Sequence, residues 1–201
     1  PTYLLSLVLL LLTPLGELSA GHIVGGEFTY TCRGWLNNDA NSGVKVYDVR
    51  INMFRDCIGQ GAFFDGADPA DVPPNLSSAQ GHISVYRGTT LVTPTLGITL
   101  DNFRDVPLNL GNPCLVLTED VCQQVGVYEF SLQLPVSNEN YTLVYQRCCR
   151  NEAIINLQVP DEIGTTYFIT ITPESQQRCN ASPVFNIDPP IAICANEPFQ
   201  I

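Results

Sequence analysis

Apolar and polar residues alternate with a period of two along much of the chain, and no ten-residue helical period separates these runs. In a β-strand successive side chains point to opposite faces, so this alternation predicts half-buried strands. Phe28, Tyr30 and Cys32 alternate with threonines. Over 44–55, Val44 and Val46 keep one phase and Tyr47, Val49, Ile51 and Met53 the other, which predicts a bulge inside one long strand. The runs 82–88, 89–93 and 95–103 are short, β-prone and separated by Gly or Pro. Val125 and Val127, then Tyr128, Phe130, Leu132 and Leu134, alternate with one slip of phase. The turn 137–140 joins that strand to 141–150, YTLVYQRCCR, as an antiparallel hairpin. A short run at 154–159 and a strong strand at 165–172 follow. Short strands at such spacing predict an all-β fold, an antiparallel β-sandwich of immunoglobulin-like kind over 21–175. Its expected core is Val49, Ile51, Met53, Val85, Ile98, Leu100, Tyr128, Phe130, Leu132, Leu143, Tyr145, Tyr167, Ile169 and Ile171.

The segments outside the alternation set the boundaries. Leu4–Leu12 is an almost unbroken apolar run followed by Thr13 to Ser19 and the small residue Ala20, which resembles a secretory signal peptide over 1–20 and is too short for a membrane span of about 20 residues. Residues 59–81, rich in Gly, Asp, Pro and Ser, predict a long irregular loop. Phe63 and Phe64 are suited to anchoring that loop on the sandwich. After 175 the composition turns to Pro and Asn, and 176–201 is read as a linker with the first strand of a following β module. A start at Pro1 and a stop at Ile201 within that pattern read as a piece of a longer protein.

Eight cysteines, Cys32, Cys57, Cys114, Cys122, Cys148, Cys149, Cys179 and Cys194, all lie beyond the expected cleavage point. An even number behind an export signal predicts a structural disulfide framework. Cys114 and Cys122 are the most plausible local bridge. Cys148 and Cys149, neighbours on a strand, face opposite ways and are expected to bridge two distant partners, one cysteine directed to the sandwich interior and the other to a loop or to the C-terminal segment around Cys179 and Cys194. Zinc finds no C-x-x-C pair and only His22 and His82.

The net charge of −11, or −10 once Glu17 is removed with residues 1–20, argues against nucleic acid or an anionic membrane as an electrostatic partner. Asp65, Asp68 and Asp71 are the nearest approach to a calcium site, with spacing unlike the calcium-loop pattern. IVGG at 23–26 resembles a trypsin-like N-terminus, but the histidine and serine motifs of such proteases do not occur. There is also no phosphate-binding glycine loop, no nucleophile elbow and no zinc-protease motif. Glu119 and Asp120 are read as solvated charges. Arg147 and Arg150 are read as partners of surface ion pairs, and Trp35, Phe63 and Phe64 as the aromatics open to sugar stacking.

HIVGGEFTYTC, NMFRDC, YTLVYQRCCRN and SPVFNIDPPIAICANEPF, in this order, resemble the N-terminal region of large secreted surface proteins of Bacteroidota. These carry a gliding-motility-type sorting domain for type IX secretion, with cadherin-like or immunoglobulin-like repeats. The resemblance implies a non-enzymatic module of an exported cell-surface protein, in adhesion, surface structure or motility-associated attachment. Its partner would be a surface glycan or a protein, with self-association possible. A carbohydrate-binding module beside an enzyme and a filament subunit are the alternatives.

Overall fold

The computed structural model describes residues 23–58, 61–74, 76–107, 121–148, 150 and 154–190. The first alternating segments become β1 (Ile23–Trp35) and β2 (Val44–Asp56), antiparallel neighbours with Phe28 opposite Ile51 and Tyr30 opposite Val49. The chain turns between them on Asp39, whose carboxylate accepts from the Asn41 backbone N–H, and on Gly43 at φ 63°, a left-handed conformation that suits glycine. β2 pairs on its other side with β8 (Gln123–Pro135), which pairs with β7 (Asn102–Asp105). The second sheet holds β10 (Thr165–Ile171), β9 (Tyr141–Arg147), β5 (Gly81–Arg87) and β6 (Thr90–Ile98), in that order and antiparallel throughout. A short parallel pair, β3 (Gly61–Ala62) and β4 (Leu76–Ser77), lies inside the long loop.

The inner faces of the two sheets form one cluster. Tyr47, Val49, Ile51 and Met53 of β2 and Tyr128, Leu132 and Leu134 of β8 are buried with Ile83 and Val85 of β5 and Tyr141, Leu143 and Tyr145 of β9. Burying each such side chain stabilises by roughly 1.5–3 kcal/mol. Every expected core residue falls in this cluster, with Leu100, Phe130, Tyr167 and Ile169 at its half-buried margin. The protein is thus an all-β antiparallel sandwich.

Several local expectations are corrected. β2 and β8 pair from Val44 opposite Pro135 to Asp56 opposite Gln123 with no shift of register, so neither strand carries a bulge against the other. The phase slip in β2 arises because a lysine holds an interior position. Lys45 is buried, donates to the carbonyls of Gln176 and Gln177 and lies 4.7 Å from the Trp35 ring centroid. The slip in β8 arises because both faces are covered there, Val125 joining Phe54 and Val106 in a second cluster on the opposite side of the sheet. The run 89–93 and the first half of 95–103 become one strand through Pro94, which is tolerated because β6 is an edge strand, while Asn102 and Phe103 open β7 in the other sheet. Residues 154–159 form turns and bends, with Ile155 98% exposed.

The disulfides also differ from the expected pairing. Cys122 bridges to Cys57, not to Cys114. The reason is the register just described, since Cys57 follows the last residue of β2 and Cys122 precedes the first residue of β8. Cys179 bridges to Cys32 of β1 and is therefore no partner for the cysteines after β9. Cys148 is disulfide-bonded as well. Cys114, Cys149 and Cys194 lie outside the described residues.

Cys179 ends a helix that alternation does not reveal, α1 (Pro173–Arg178). Thr172 caps it by accepting from the Ser175 N–H, Pro173 occupies its first turn and Cys179 closes it in a left-handed conformation. Beyond the boundary placed at 175, the chain stays on the first sheet. Cys32 N–H donates to Asn180 O at 3.1 Å and Ser182 N–H to Tyr30 O at 2.9 Å, both on β1. Asp188 then takes a bidentate contact from Arg104 of β7 at 2.8 and 2.9 Å.

Candidate functional site

The strongest concentration of buried polar chemistry among the described residues lies where the long loop meets β9. The loop is folded by its own backbone. Gly66, at φ 67°, donates to Ala79 O at 2.7 Å and accepts from Leu100 N–H at 3.0 Å, and Ser78 Oγ donates to Phe64 O at 2.7 Å. A Cβ on Gly66 would stand 2.3 Å from Ile98 O, so both conformation and space select glycine there.

This turn drives Phe63 and Phe64 into the sandwich. Both are fully buried, edge to face at 5.2 Å, and Phe63 meets Phe103 of β7 in the same way at 5.1 Å. Gly126 of β8 makes the room, since a Cβ there would lie 2.6 Å from the Phe64 ring. The Arg55 guanidinium sits 4.8 Å from the Phe63 centroid while its Nε donates to Gln124 Oε1 at 3.0 Å.

Asp65 follows directly and is buried. Its carboxylate accepts from Tyr145 Oη at 2.5 Å and faces Arg147 Nη1 at 3.3 Å. Arg147, also buried, donates through Nη2 to Phe63 O at 2.5 Å, and Tyr128 Oη donates to Asp65 O at 2.9 Å. Tyr145 and Arg147 project together because they are two apart on one strand, as the sequence pattern requires. Burial, reinforced by the Asp65 charge, pushes the phenols of Tyr128 and Tyr145 well above the ordinary tyrosine range, which keeps both as donors. Burial first, then the neighbouring Arg147 charge, lowers the pKa of Arg55.

The expected surface ion pair of Arg147 is thus a buried one, formed with a residue of the proposed calcium trio. Asp65 is committed to Arg147 and Tyr145. Asp68 accepts from Ala70 N–H at 2.8 Å within a turn that also bonds Asp71 N–H to Asp68 O at 2.9 Å. No three His, Cys, Asp or Glu side chains converge to hold a metal among the described residues. Phe63 and Phe64 anchor the loop and are closed to sugar stacking, while Trp35 is half-buried beneath Lys45. Arg150 braces the segment after β9, its N–H donating to Pro160 O and Ile163 O at 3.1 Å and its Nε to Gly164 O at 3.3 Å. Glu119 and Asp120 lie outside the described residues.

Chemically, the node is a clamp. Its carboxylate is held from two sides, its phenols stay protonated, and its strands and loop are tied across long sequence separations. Lys45 was missed as an interior cation. The only trace of it in the sequence is the phase slip at 44–47. No family model matches the chain, and no curated protein or solved structure matches it either. No helix among the described residues is long and apolar enough to cross a membrane.

Proposed function

We propose that the chain is a non-enzymatic module of an exported cell-surface protein, acting in adhesion, surface structure or attachment, with an immunoglobulin-like sandwich as its scaffold. The observation that carries this reading is the combination of disulfides and strand order. The bridges Cys32–Cys179 and Cys57–Cys122 suit a chain that matures in an oxidising compartment.

With β3 and β4 set aside, the remaining eight strands lie first-second-sixth-fifth in one sheet and eighth-seventh-third-fourth in the other. This corresponds to strands A-B-E-D packed on G-F-C-C′ of immunoglobulin-like domains. Tyr141 supports the same reading. It opens the seventh of these strands, and its hydroxyl donates back to Pro135 O at 2.8 Å, as in the tyrosine corner of such folds. The chain departs from antibody domains in these two bridges, which tie β1 to the end of α1 and the end of β2 to the start of β8. In this reading the clamp at Asp65 holds a long loop rigid for display, and the bridges resist proteolysis and mechanical load.

The test is localisation. Antibody against the folded domain is expected to label intact source cells or their medium, with all cysteines blocked to alkylation before reduction. Retention inside the cell with reactive thiols would overturn the proposal.

A further inference from the structure

The four sheet edges are protected unequally. A strand at a sheet edge presents unpaired backbone groups, and proteins blunt such edges with cover, charge, proline, bulges or shortness. β1 is covered by residues 180–182 and bends at two register shifts. β7 is only four residues long and carries Arg104 and Asp105. β6 contains Pro94 and pairs with β5 through two irregularities.

β10, the terminal strand of the second sheet, carries no charge, proline or bulge among the described residues, and β1 of the first sheet lies against its inner face, Gly26 on the Tyr167 ring. Its sequence TTYFITI has no charge, no proline and no glycine, and it pairs with β9 at all seven positions without a shift. At its centre Phe168 is 65% exposed. The sheet face around Phe168 is equally unprotected by charge. From the strand registers, Thr166, Phe168 and Thr170 continue into Gln146, Val144 and Thr142 of β9 and then Ser84 and Tyr86 of β5. None of these is acidic or basic, in a chain of net charge −11. The opposite sheet's outer face, by contrast, carries the exposed ion pairs Arg50–Glu129 and Arg33–Asp48.

We propose that β10 is a docking edge for β10 of a second copy of this chain, joining two second sheets into one across an antiparallel, two-fold ladder. Seven residues place Phe168 on the axis, so it lies opposite Phe168 of the partner subunit, and Thr166 lies opposite Thr170 of the partner subunit. Each exposed aromatic thereby gains a cross-strand neighbour. An acidic chain can approach its own copy here because the edge and its face are neutral. The edge covers about 250 Å² per partner, from about 3.4 Å of rise per residue and a strand about 10 Å deep. A stable dimer needs about 800 Å² per partner, so the contact is weak and gains strength only where many copies are displayed together. Two copies of a chain of net charge −11 repel each other as they approach, so salt strengthens the association by screening that repulsion. The edge acts whether or not the chain is exported, so this inference and the localisation test fail separately.

The experiment is sedimentation equilibrium of the disulfide-bonded chain from about 10 μM to 1 mM, the range where a contact below the standard interface size dissociates. Hydrogen exchange at 165–171 is followed over the same series. The weight-average mass is expected to rise towards the dimer, more so in 0.5 M than in 0.05 M NaCl, with slowed exchange confined to β10. Phe168→Lys and Thr166→Lys, both at exposed positions, are expected to abolish the rise with melting curves unchanged, while Gln133→Lys on the other sheet leaves it intact. A wild-type chain that stays monomeric with concentration-independent exchange would overturn the proposal. So would association that survives both β10 variants, or that disappears equally with Gln133→Lys.

Discussion

Arg147 and Asp65 are worth more as a pair than apart. Each is buried, and removing one partner leaves the other charge desolvated and uncompensated, at a cost of about 3–5 kcal/mol. Arg147→Met is expected to lower stability by that amount in urea denaturation and to open the 63–80 loop to protease. Adding Asp65→Asn should recover a large part of the loss, because the stranded charge is gone. A single-variant loss under 1 kcal/mol would show that the clamp does not hold the loop. Tyr47 presents the opposite case. It is buried at the edge of the Tyr30 ring, and its hydroxyl is buried without a hydrogen-bond partner among the described residues. Burial, then the neighbouring Tyr30 and Tyr141, pushes its pKa from 10.0 up to about 12. The folded state therefore prefers the protonated phenol. Its contribution is intact below pH 10.0 and is lost as pH rises through about 12. Tyr47→Phe is expected to be neutral or stabilising by up to about 1 kcal/mol at pH 7. It should also flatten the fall of stability between pH 10 and 12 in alkaline denaturation, whereas an unchanged slope would assign that fall to other groups.

At the scale of elements, the corner between β8 and β9 is held by Val136 N–H on Gly43 O, by Ser137 N–H on the buried Gln176 Oε1 and by Tyr141 Oη on Pro135 O. Tyr141→Phe keeps the buried ring and removes only that bond, so a loss of about 0.5–1.5 kcal/mol is expected in thermal denaturation. No loss would mean that the corner is held by its other bonds, those of Val136 and Ser137, and by packing. The strands that could be read from the sequence were those with one wet and one dry face. On β9 the alternation Tyr141, Leu143, Tyr145, Arg147 is also the observed run of buried positions, because a pleated strand permits nothing else. β2 and β8 were harder to read. Lys45 faces inward where its amine reaches the end of α1, and Val125 faces outward where the other side of the sheet is also covered. α1 itself was announced only by Thr172, Pro173 and Glu174, its cap, its first-turn proline and its first-turn acid.

For the whole molecule, the bridges act on the unfolded chain. Cys32–Cys179 closes 147 residues and Cys57–Cys122 closes 65, and loop-closure entropy sets each at about 4–5 kcal/mol if the native state is unstrained. Replacing Cys32 and Cys179 together by Ser is expected to lower the melting temperature substantially and to speed hydrogen exchange at 180–182. A melting curve indifferent to dithiothreitol would deny the cysteines their structural role. The all-β class, the core positions and the need for a disulfide framework were determined by the sequence itself, because alternation and cysteine count are local or additive properties. The cysteine partners, the meeting of Asp65 with Arg147, the interior place of Lys45 and the exposure of Phe168 on an edge strand were decided only in the tertiary structure. Each of these depends on the register between strands tens of residues apart, and register is set by how two whole sheets fit together, not by any one segment.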